Sequence, residues 1–479
     1  MSYLLAKESW NVLGRSLAFS GLTLSYSAGT RVGAASVGLT EVVILGPCVD
    51  AEGEFSSEDL ADVIATSYRT WEEVLSFSKR LCGSYVILHS HNGTVRALND
   101  PAGYGGVYYH QRVNATASSE KFLALYLGIN ETSQDSEVIH GCSSDPSQPM
   151  PNDITMFDEI RILLPNHYLN LNTRKSTRFF PGNEAKATVS PEEAAEQTRA
   201  LALEILGGFR SIYSLACPLS AGWDSRLNYA LLRVNDDEPT CYTFIHDNFS
   251  EATADRVVPK IIVKSHGGHH SELPDLQAPQ GWHQHVAQNF TPYPNPMAVN
   301  LAYTYRSSFD GFAFLSGDVL DQIGKSLLGQ TLPEVFARPS FFACKSHNFS
   351  AQNRRHIEDW CDGVTSAGSI SRFDLFSLEN RLGRWAHQSN LVLQALGVMA
   401  LNVYNCRQLI EIWLAVDRAD RAHKRIHKAL FETMCPTLIE IPFNPGSSPD
   451  WVKTNAPAFL LATYGKFYLQ KTSAAFRVT

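Results

Sequence analysis

Short apolar runs separated by turn-forming residues characterise the chain up to about residue 185. Residues 84–89 and 95–98 are two such β-type runs, and the turn between them contains Asn92 and Gly93. An Asn-Gly pair favours a tight hairpin because both residues tolerate a positive φ. The pattern therefore predicts a mainly antiparallel sheet in this part of the chain.

A polar connector follows residues 179–182 and leads to Ser190, Pro191 and Glu193. Serine is a preferred N-cap, proline fits the first helical position, and a glutamate at the third position completes a capping box. The sequence predicts that a helix begins here. It also predicts a domain boundary, with one domain at 1–185 and a second at 190–479.

Strand-like and helix-like segments alternate beyond that boundary. The predicted strands cover 212–219 and 241–245, and the predicted helices cover 226–233 and 251–264. Such alternation is typical of a parallel sheet with right-handed crossovers, whose ligands bind at the carboxyl ends of the strands. From about residue 335 the pattern becomes helical. The expected fold is therefore α+β at first, then α/β with a helical lobe.

The loop at 219–225, which follows the first of these strands, carries the strongest candidate chemistry. Its small residues let backbone N–H groups approach phosphate oxygens, the hydroxyls of Ser220 and Ser225 can donate hydrogen bonds, and the next helix presents its positive end. Asp224 would be a natural Mg²⁺ ligand. An ordinary structural turn between strand and helix is the alternative for this segment taken alone.

Composition removes several classes of partner. The chain has 479 residues, 44% of them hydrophobic, and a formal net charge of -8. An acidic balance argues against nucleic acid or an anionic membrane, because a phosphate backbone requires a basic face. The sequence shows neither a leader peptide nor an apolar run long enough to span a membrane, so a cytoplasmic protein is expected.

The cysteine and histidine patterns do not indicate a metal centre. The nine cysteines include no C-x-x-C spacing, which favours reduced thiols over a disulfide framework or a zinc site. The histidine clusters at 265–270 and 283–285 have no nearby carboxylate or thiolate to complete a ligand set. Neither cluster is expected to bind a metal.

The 219–225 loop resembles the S-G-G-x-D-S loop of the ATP pyrophosphatases, with Ala221 in place of the first glycine. Further segments resemble the asparagine synthetase family, in the order that this family shows. They are the strand 241–244 with the later Gly-Gly-His-His at 267–270, the L-S-G-D-x-x-D-x-x-G stretch at 315–324, the Asp-Pro-x-Gly hairpin at 99–109, and the segment 155–169.

This resemblance implies an Ntn-type antiparallel domain like a class II glutaminase, followed by an ATP pyrophosphatase domain. The cofactors it implies are ATP and Mg²⁺, with the metal held by Asp224 and Asp321. The residues that would line the nucleotide site are Leu219, Ser220, Ala221, Gly222, Asp224, Ser225, Phe244, Ser316, Gly317 and Asp318.

The chain departs from the family pattern at two functional positions. Glutamine-hydrolysing members use an N-terminal cysteine as nucleophile, and this chain has Ser2 instead. The glutaminase-like domain is therefore expected to be degenerate, with a Ser2 hydroxyl nucleophile as the alternative. The stretch 441–446 also lacks the family's late lysine, for which Lys453 is the nearest substitute. Lys424 and Lys428 are predicted to lie on a solvated helix face.

Among the relatives without the N-terminal cysteine are β-lactam synthetases and lasso-peptide cyclases, so we expect an ATP-dependent ligase that joins a carboxylate, small-molecule or peptide, to an amine. Glu379 is a candidate base toward the amine, with a structural ion pair as its alternative reading, and Arg381 and Arg384 are candidate phosphate or substrate contacts. An ammonia-using asparagine synthetase or amidotransferase and a non-catalytic nucleotide-binding scaffold remain alternatives. A homodimer or a pathway partner protein also remains open.

Overall fold

The computed structural model describes residues 1–52, 55–142, 149–182, 188–234, 238–246, 248–291, 294–324, 332–346, 350–364 and 370–445. The N-terminal half contains the strands β1 (Tyr3–Ala6), β2 (Arg15–Phe19), β3 (Leu22–Tyr26), β4 (Val32–Val37), β5 (Thr40–Leu45), β6 (Cys48–Asp50), β7 (Leu81–Gly83), β8 (Val86–His91), β9 (Thr94–Asn99), β10 (Tyr108–His110), β11 (Thr116–Ala117), β12 (Ile160–Ile162), β13 (His167–Asn170) and β14 (Lys175–Arg178). Its helices are α1 (Ser57–Ser67), α2 (Trp71–Ser78), α3 (Glu120–Leu127) and α4 (Gln134–Gly141).

Two six-stranded antiparallel sheets dominate this half, with the strand orders β12-β10-β11-β1-β3-β2 and β14-β13-β9-β8-β5-β4, and β6 pairs with β7 in a small two-stranded sheet. They pack face to face, since Tyr3 and Leu5 of the first sheet share a buried cluster with Val43 and Leu88 of the second. Helices α1 and α2 cover the outer face of the second sheet, and α3 and α4 pack on the first. The antiparallel character predicted from the sequence is confirmed.

The predicted hairpin joins β8 to β9. Asn92 and Gly93 have φ values of 49° and 74°, and His91 pairs with Thr94 across the turn. Positive φ at both central residues is the geometry that an Asn-Gly pair favours.

The C-terminal half contains five described strands: β15 (Ser214–Pro218), β16 (Thr240–Ile245), β17 (His269–Pro274), β18 (Phe312–Leu315) and β19 (Met399–Leu401). Its helices are α5 (Pro191–Arg210), α6 (Trp223–Arg233), α7 (Ala254–His266), α8 (Gln280–Asn289), α9 (Pro296–Ser308), α10 (Asp318–Ile323), α11 (Pro339–Lys345), α12 (Ala351–Gly363), α13 (Arg372–Phe376), α14 (His387–Ala395), α15 (Arg407–Leu414), α16 (Arg418–Ala422) and α17 (Arg425–Met434), and a π-helical segment, Ser377–Ala386, joins α13 to α14. Short 3-10 helices lie at Asn11–Leu13, Glu334–Phe336 and Pro436–Ile439.

All pairings in the five-stranded sheet of the C-terminal half are parallel, in the order β17-β16-β15-β18-β19. The chain moves outward from β15 to β17 and then returns to place β18 on the other side of β15. The carboxyl ends of β15 and β18 therefore flank the point where the strand order reverses, which is where open parallel sheets bind ligands. The predicted parallel sheet is confirmed, although β19 lies in a region predicted to be helical.

The two halves meet through a buried polar contact. The Asp100 carboxylate accepts hydrogen bonds from the N–H groups of Ala102, Tyr104 and Gly105 and from the Asn405 side chain, at 2.5–3.2 Å. Burial raises the pKa of this carboxyl to about 6, although these hydrogen bonds oppose the shift. Within the described ranges, no helix combines the length and the apolar character that crossing a membrane requires.

Candidate functional site

The first loop of the candidate site turns tightly between β15 and α6. The Ser220 and Ser225 hydroxyls are 2.8 Å apart, and the Ser225 hydroxyl also accepts the Ser220 N–H at 3.1 Å. The Gly222 N–H donates to the Ser220 hydroxyl at 3.1 Å, and the Ala221 N–H donates to the Asp255 carboxylate at 2.8 Å. Three of the amides predicted to receive phosphate are therefore occupied by groups of the same chain, and an anion would have to replace them.

The second loop lies directly beside the first. It runs from the end of β18 through Ser316 and Gly317 to α10, and the Asp318 N–H donates to the Ser316 hydroxyl at 3.2 Å. A methyl group on Gly317 would lie only 3.3 Å from Cβ of Asp224. The absence of a side chain at position 317 thus allows the two loops to approach closely.

Three carboxylates gather where these loops meet. Burial, with smaller contributions from the charges of Asp321 and Asp224, raises the pKa of Asp318. A carboxyl whose pKa is raised partly by neighbouring carboxylates favours a bound cation beside it, and oxygen ligands suit Mg²⁺. Among the described residues, no group of three or more His, Cys, Asp or Glu side chains could hold a metal ion by itself. One or two carboxylates completed by phosphate oxygens and water would nevertheless suffice for Mg²⁺.

Two basic residues, Lys424 just before α17 and His427 within it, both approach the Asp224 carboxylate. Nζ of Lys424 lies 4.0 Å from Oδ1 of Asp224, and Nε2 of His427 lies 3.1 Å from the same oxygen. Lys424 is only 6% exposed, so the prediction that it lies on a solvated face is wrong. The neighbouring Lys428 is exposed as predicted.

The spacing of α17 contained the signal for this placement. His427 and Phe431 are four positions apart on one face of α17, and Lys424, the N-cap, precedes His427 by three positions. Phe431 and His427 are fully buried, so that face points inward. Reading the lysine together with its apolar neighbours, instead of with the other charges of the segment, would have placed it at the site.

The two arginines proposed as contacts have different surroundings. Arg381 is half-buried, and burial lowers its pKa while the charge of Asp321 opposes that change. It therefore lies within electrostatic range of the acidic loops. Arg384 instead donates to the carbonyl oxygens of Met150 and Ile154 at 2.6 and 3.0 Å, a structural role between the two halves.

The fully buried Glu379 lies in a separate network. Both of its carboxylate oxygens bind the Arg178 guanidinium, and they also accept from Asn166 and from the Trp360 indole, each at 2.7 Å. Burial alone would raise the pKa of Glu379, but these partners, Arg178 first, outweigh it and lower the pKa. This arrangement favours the ion-pair reading over a general base, with Arg178 as the partner.

Residues 441–444, close to the end of the described chain, cover the first loop. The Arg226 guanidinium donates to the carbonyl oxygens of Ile441 and Pro442, and the Phe443 ring stacks on Trp223 with centroids 3.6 Å apart. The Asn444 N–H donates to the Ala221 carbonyl at 3.0 Å. The stretch in which the resemblance expects a lysine thus packs against the loop, whereas Lys453 lies outside the described residues.

The remaining predicted residues lie at the same sheet edge. Leu219 is buried and donates its N–H to the Tyr242 carbonyl at 2.8 Å, which fixes the start of the loop against β16. Phe244 is half-buried on β16, the strand beside β15. An aromatic ring at this position could form one wall for a nucleotide base.

Comparison with known proteins gives no family assignment. The chain matches no model of a protein family, and no curated protein matches it significantly either. The function of the site must therefore be inferred from its residues.

Proposed function

We infer that this protein is an ATP-dependent ligase that transfers AMP to a carboxylate, releases pyrophosphate, and lets an amine displace the AMP to form an amide. One observation carries this proposal: two small, acidic loops meet at the reversal point of a parallel sheet, with a buried lysine against them. Structural packing alone gives no reason to hold like charges together there.

The chain offers a donor set that fits MgATP. Asp224 and Asp321 would hold Mg²⁺, and the hydroxyls of Ser220 and Ser225 would turn from each other toward phosphate oxygens. When bound, Mg²⁺ would neutralise the negative charge of the departing pyrophosphate. The first turn of α6 adds N–H groups and the positive end of the helix dipole.

Lys424 is the residue that we assign to the role of the missing late lysine. A buried ammonium beside the acidic loops would stabilise negative charge as it develops on the phosphate in the transition state. His427 would act as a positioning residue, because its hydrogen bond to Asp224 fixes the direction of that carboxylate.

Features of the N-terminal half bear on where the amine comes from. Two packed antiparallel sheets are compatible with the proposed glutaminase-like ancestry of the N-terminal half, whereas Ser2 in place of cysteine argues against release of ammonia from glutamine. An external amine is therefore preferred as the nucleophile. Ammonia is the alternative that a direct test with aspartate and ammonium would detect.

A nucleotide-binding scaffold without catalysis is the second candidate. It is favoured by the internal hydrogen bonds of the first loop, in which Asp255 and Ser220 already occupy amides that phosphate would need. Catalysis requires that nucleotide binding releases these bonds, whereas a retired site has no such requirement.

Pyrophosphate–ATP isotope exchange over a panel of carboxylates, including aspartate and peptides, tests the proposal. We expect exchange that depends on one class of carboxylate and disappears in the Asp224→Ala variant. Binding of MgATP without any exchange would favour the scaffold, and the absence of MgATP binding would contradict both functions.

A further inference from the structure

A second cleft, of about 530 Å³, lies between the two halves. The strands β12 to β14 form one side of it and α12 forms the other. The π-helical segment Ser377–Ala386 separates it from the acidic loops: Glu379 contacts the cleft residues Arg178 and Trp360, and Arg381 is within range of Asp321. The volume is within the range of about 300–1,000 Å³ that is usual for small-molecule sites.

Charges of both signs face this cleft without neutralising one another. Asp153, Asp359 and Arg161 all line it, and all three act electrostatically on His356, whose pKa is lowered mainly by burial. Across the described ranges, no ion pair within 4.0 Å joins any of these three to a charged side chain. Among the residues that the structure describes, the Arg161 guanidinium donates to the carbonyl oxygens of Asp158 and Ile160 and to no other group.

Arg178, which lines the same cleft, is a structural charge with an ion-pair partner. Its guanidinium is held by both oxygens of Glu379, which is completely buried. This structural charge therefore has a counter-ion of its own. The two carboxylates and Arg161 differ from Arg178 in this respect.

Asn152 supplies an independent observation. It is 4% exposed, lines the cleft, and has a φ of 50° that is uncommon for a residue other than glycine. Its Nδ2 donates to the His356 carbonyl at 2.6 Å, but its Oδ1 accepts no hydrogen bond from any residue that the structure describes. A buried acceptor without a donor costs free energy, which a ligand that donates to it would recover.

We propose that this cleft binds a free α-amino acid, with its ammonium group between Asp153 and Asp359 and its carboxylate on Arg161. A zwitterion supplies both missing counter-ions at once, and an ammonium has three N–H donors: two would serve the carboxylates, and the third would serve Oδ1 of Asn152 once that side chain turns toward the cleft. The apolar walls Ile154, Leu164 and Trp360 would contact its side chain. The site does not depend on the proposed ligase activity, because it shares no lining residue with the acidic loops.

Titration calorimetry of the full chain at low salt, without nucleotide, with the twenty proteinogenic amino acids tests this proposal. The best ligand is then compared with its N-acetyl and its amide derivatives. In the wild-type protein, we expect each derivative to bind at least about tenfold more weakly, as is typical when a hydrogen bond to a charged group is lost. Asp153→Asn should weaken binding of the free amino acid and remove the penalty for N-acetylation, and Arg161→Gln should do the same for amidation.

Asp158→Asn is the matched control, because Asp158 is exposed in the same segment and only its backbone carbonyl contacts Arg161. Its affinity should equal that of the wild type. Thermal unfolding identifies any variant that fails to fold, and Asp359→Asn, at an exposed position, then replaces Asp153→Asn. No saturable binding of any amino acid in the millimolar range, or equal affinity in the wild type and both charge variants, would overturn the proposal. Because nucleotide is omitted, either result is independent of pyrophosphate exchange.

Discussion

Asp224, Asp318 and Asp321 lie together at the edge of the parallel sheet, whereas Glu379 and Asp100 lie in the junction between the two halves. At the sheet edge, the negative charges of neighbouring carboxylates contribute to a raised pKa. At the junction, each carboxylate accepts hydrogen bonds on both oxygens. The difference separates two uses of a buried charge: like charges held together favour a cation, and saturated charges hold the halves together.

The largest expected effect tests the acidic side of this comparison. Asp321→Asn should lower pyrophosphate exchange by about a thousandfold, since removal of a transition-state charge contact typically costs 10²–10³ and a metal ligand is expected to lie at the upper end. The control is Asp310→Asn, at an exposed position next to β18. Exchange at the wild-type rate in Asp321→Asn would show that the clustered carboxylates do not hold the metal.

The second effect tests the junction. Glu379→Gln should lower the free energy of unfolding by about 3 kcal/mol, because it leaves the partly buried Arg178 without a counter-ion. Urea unfolding measures this loss, and Glu358→Gln is the control, since Glu358 pairs with the exposed Arg354.

An opposite outcome is equally informative. If Glu379→Gln folds with unchanged stability but loses amide formation while keeping pyrophosphate exchange, Glu379 is the base toward the amine after all. Glu379 would then not be a carboxylate that stabilises the junction, and the distinction between the two regions would not hold for it.

The third prediction tests whether the buried Lys424 acts together with the acidic loops at the sheet edge. Lys424→Met should lower the turnover rate about a hundredfold, because an ammonium beside the reacting phosphate stabilises charge that develops in the transition state. Lys428→Met, on the exposed face of α17, should have wild-type turnover. Equal effects of the two substitutions would return Lys424 to a structural role.

Local signals predicted most of the architecture. The Asn92-Gly93 turn, the N-cap at Ser190, whose hydroxyl accepts the Glu193 N–H at 3.1 Å, and the alternation after it are each encoded within a few residues. The helix after the first loop begins at Trp223, three residues before the predicted start, and Gly222 is its N-cap. Strand β19 was missed because three residues are too few for a periodic pattern.

Long-range partners explain what the sequence could not predict about the site. Glu379 and Arg178 are 201 positions apart, and Asp255 reaches the Ala221 amide across 34. No spacing rule connects such residues, so neither the partner of Glu379 nor the occupied amides could be predicted from the sequence. The two loops themselves were predictable, because the carboxyl ends of adjacent parallel strands must meet.

The smallest expected effect concerns Asp100 and the pH dependence of the junction. The pKa of this carboxyl is raised from 3.8 to about 6, so the folded protein keeps the proton to a higher pH than the unfolded chain does. Its contribution to stability is therefore present at low pH and is lost as the pH rises through 6. When the pH is lowered from 7 to 5, the free energy of unfolding should increase by roughly 1 kcal/mol because of this group.

Urea unfolding at both pH values, in the wild type and in Asp100→Asn, isolates the contribution of Asp100, because the variant retains every other titrating group. An equal pH dependence in the two proteins would mean that the junction keeps Asp100 ionised, as its hydrogen bonds alone would favour, and that saturation at this junction outweighs burial.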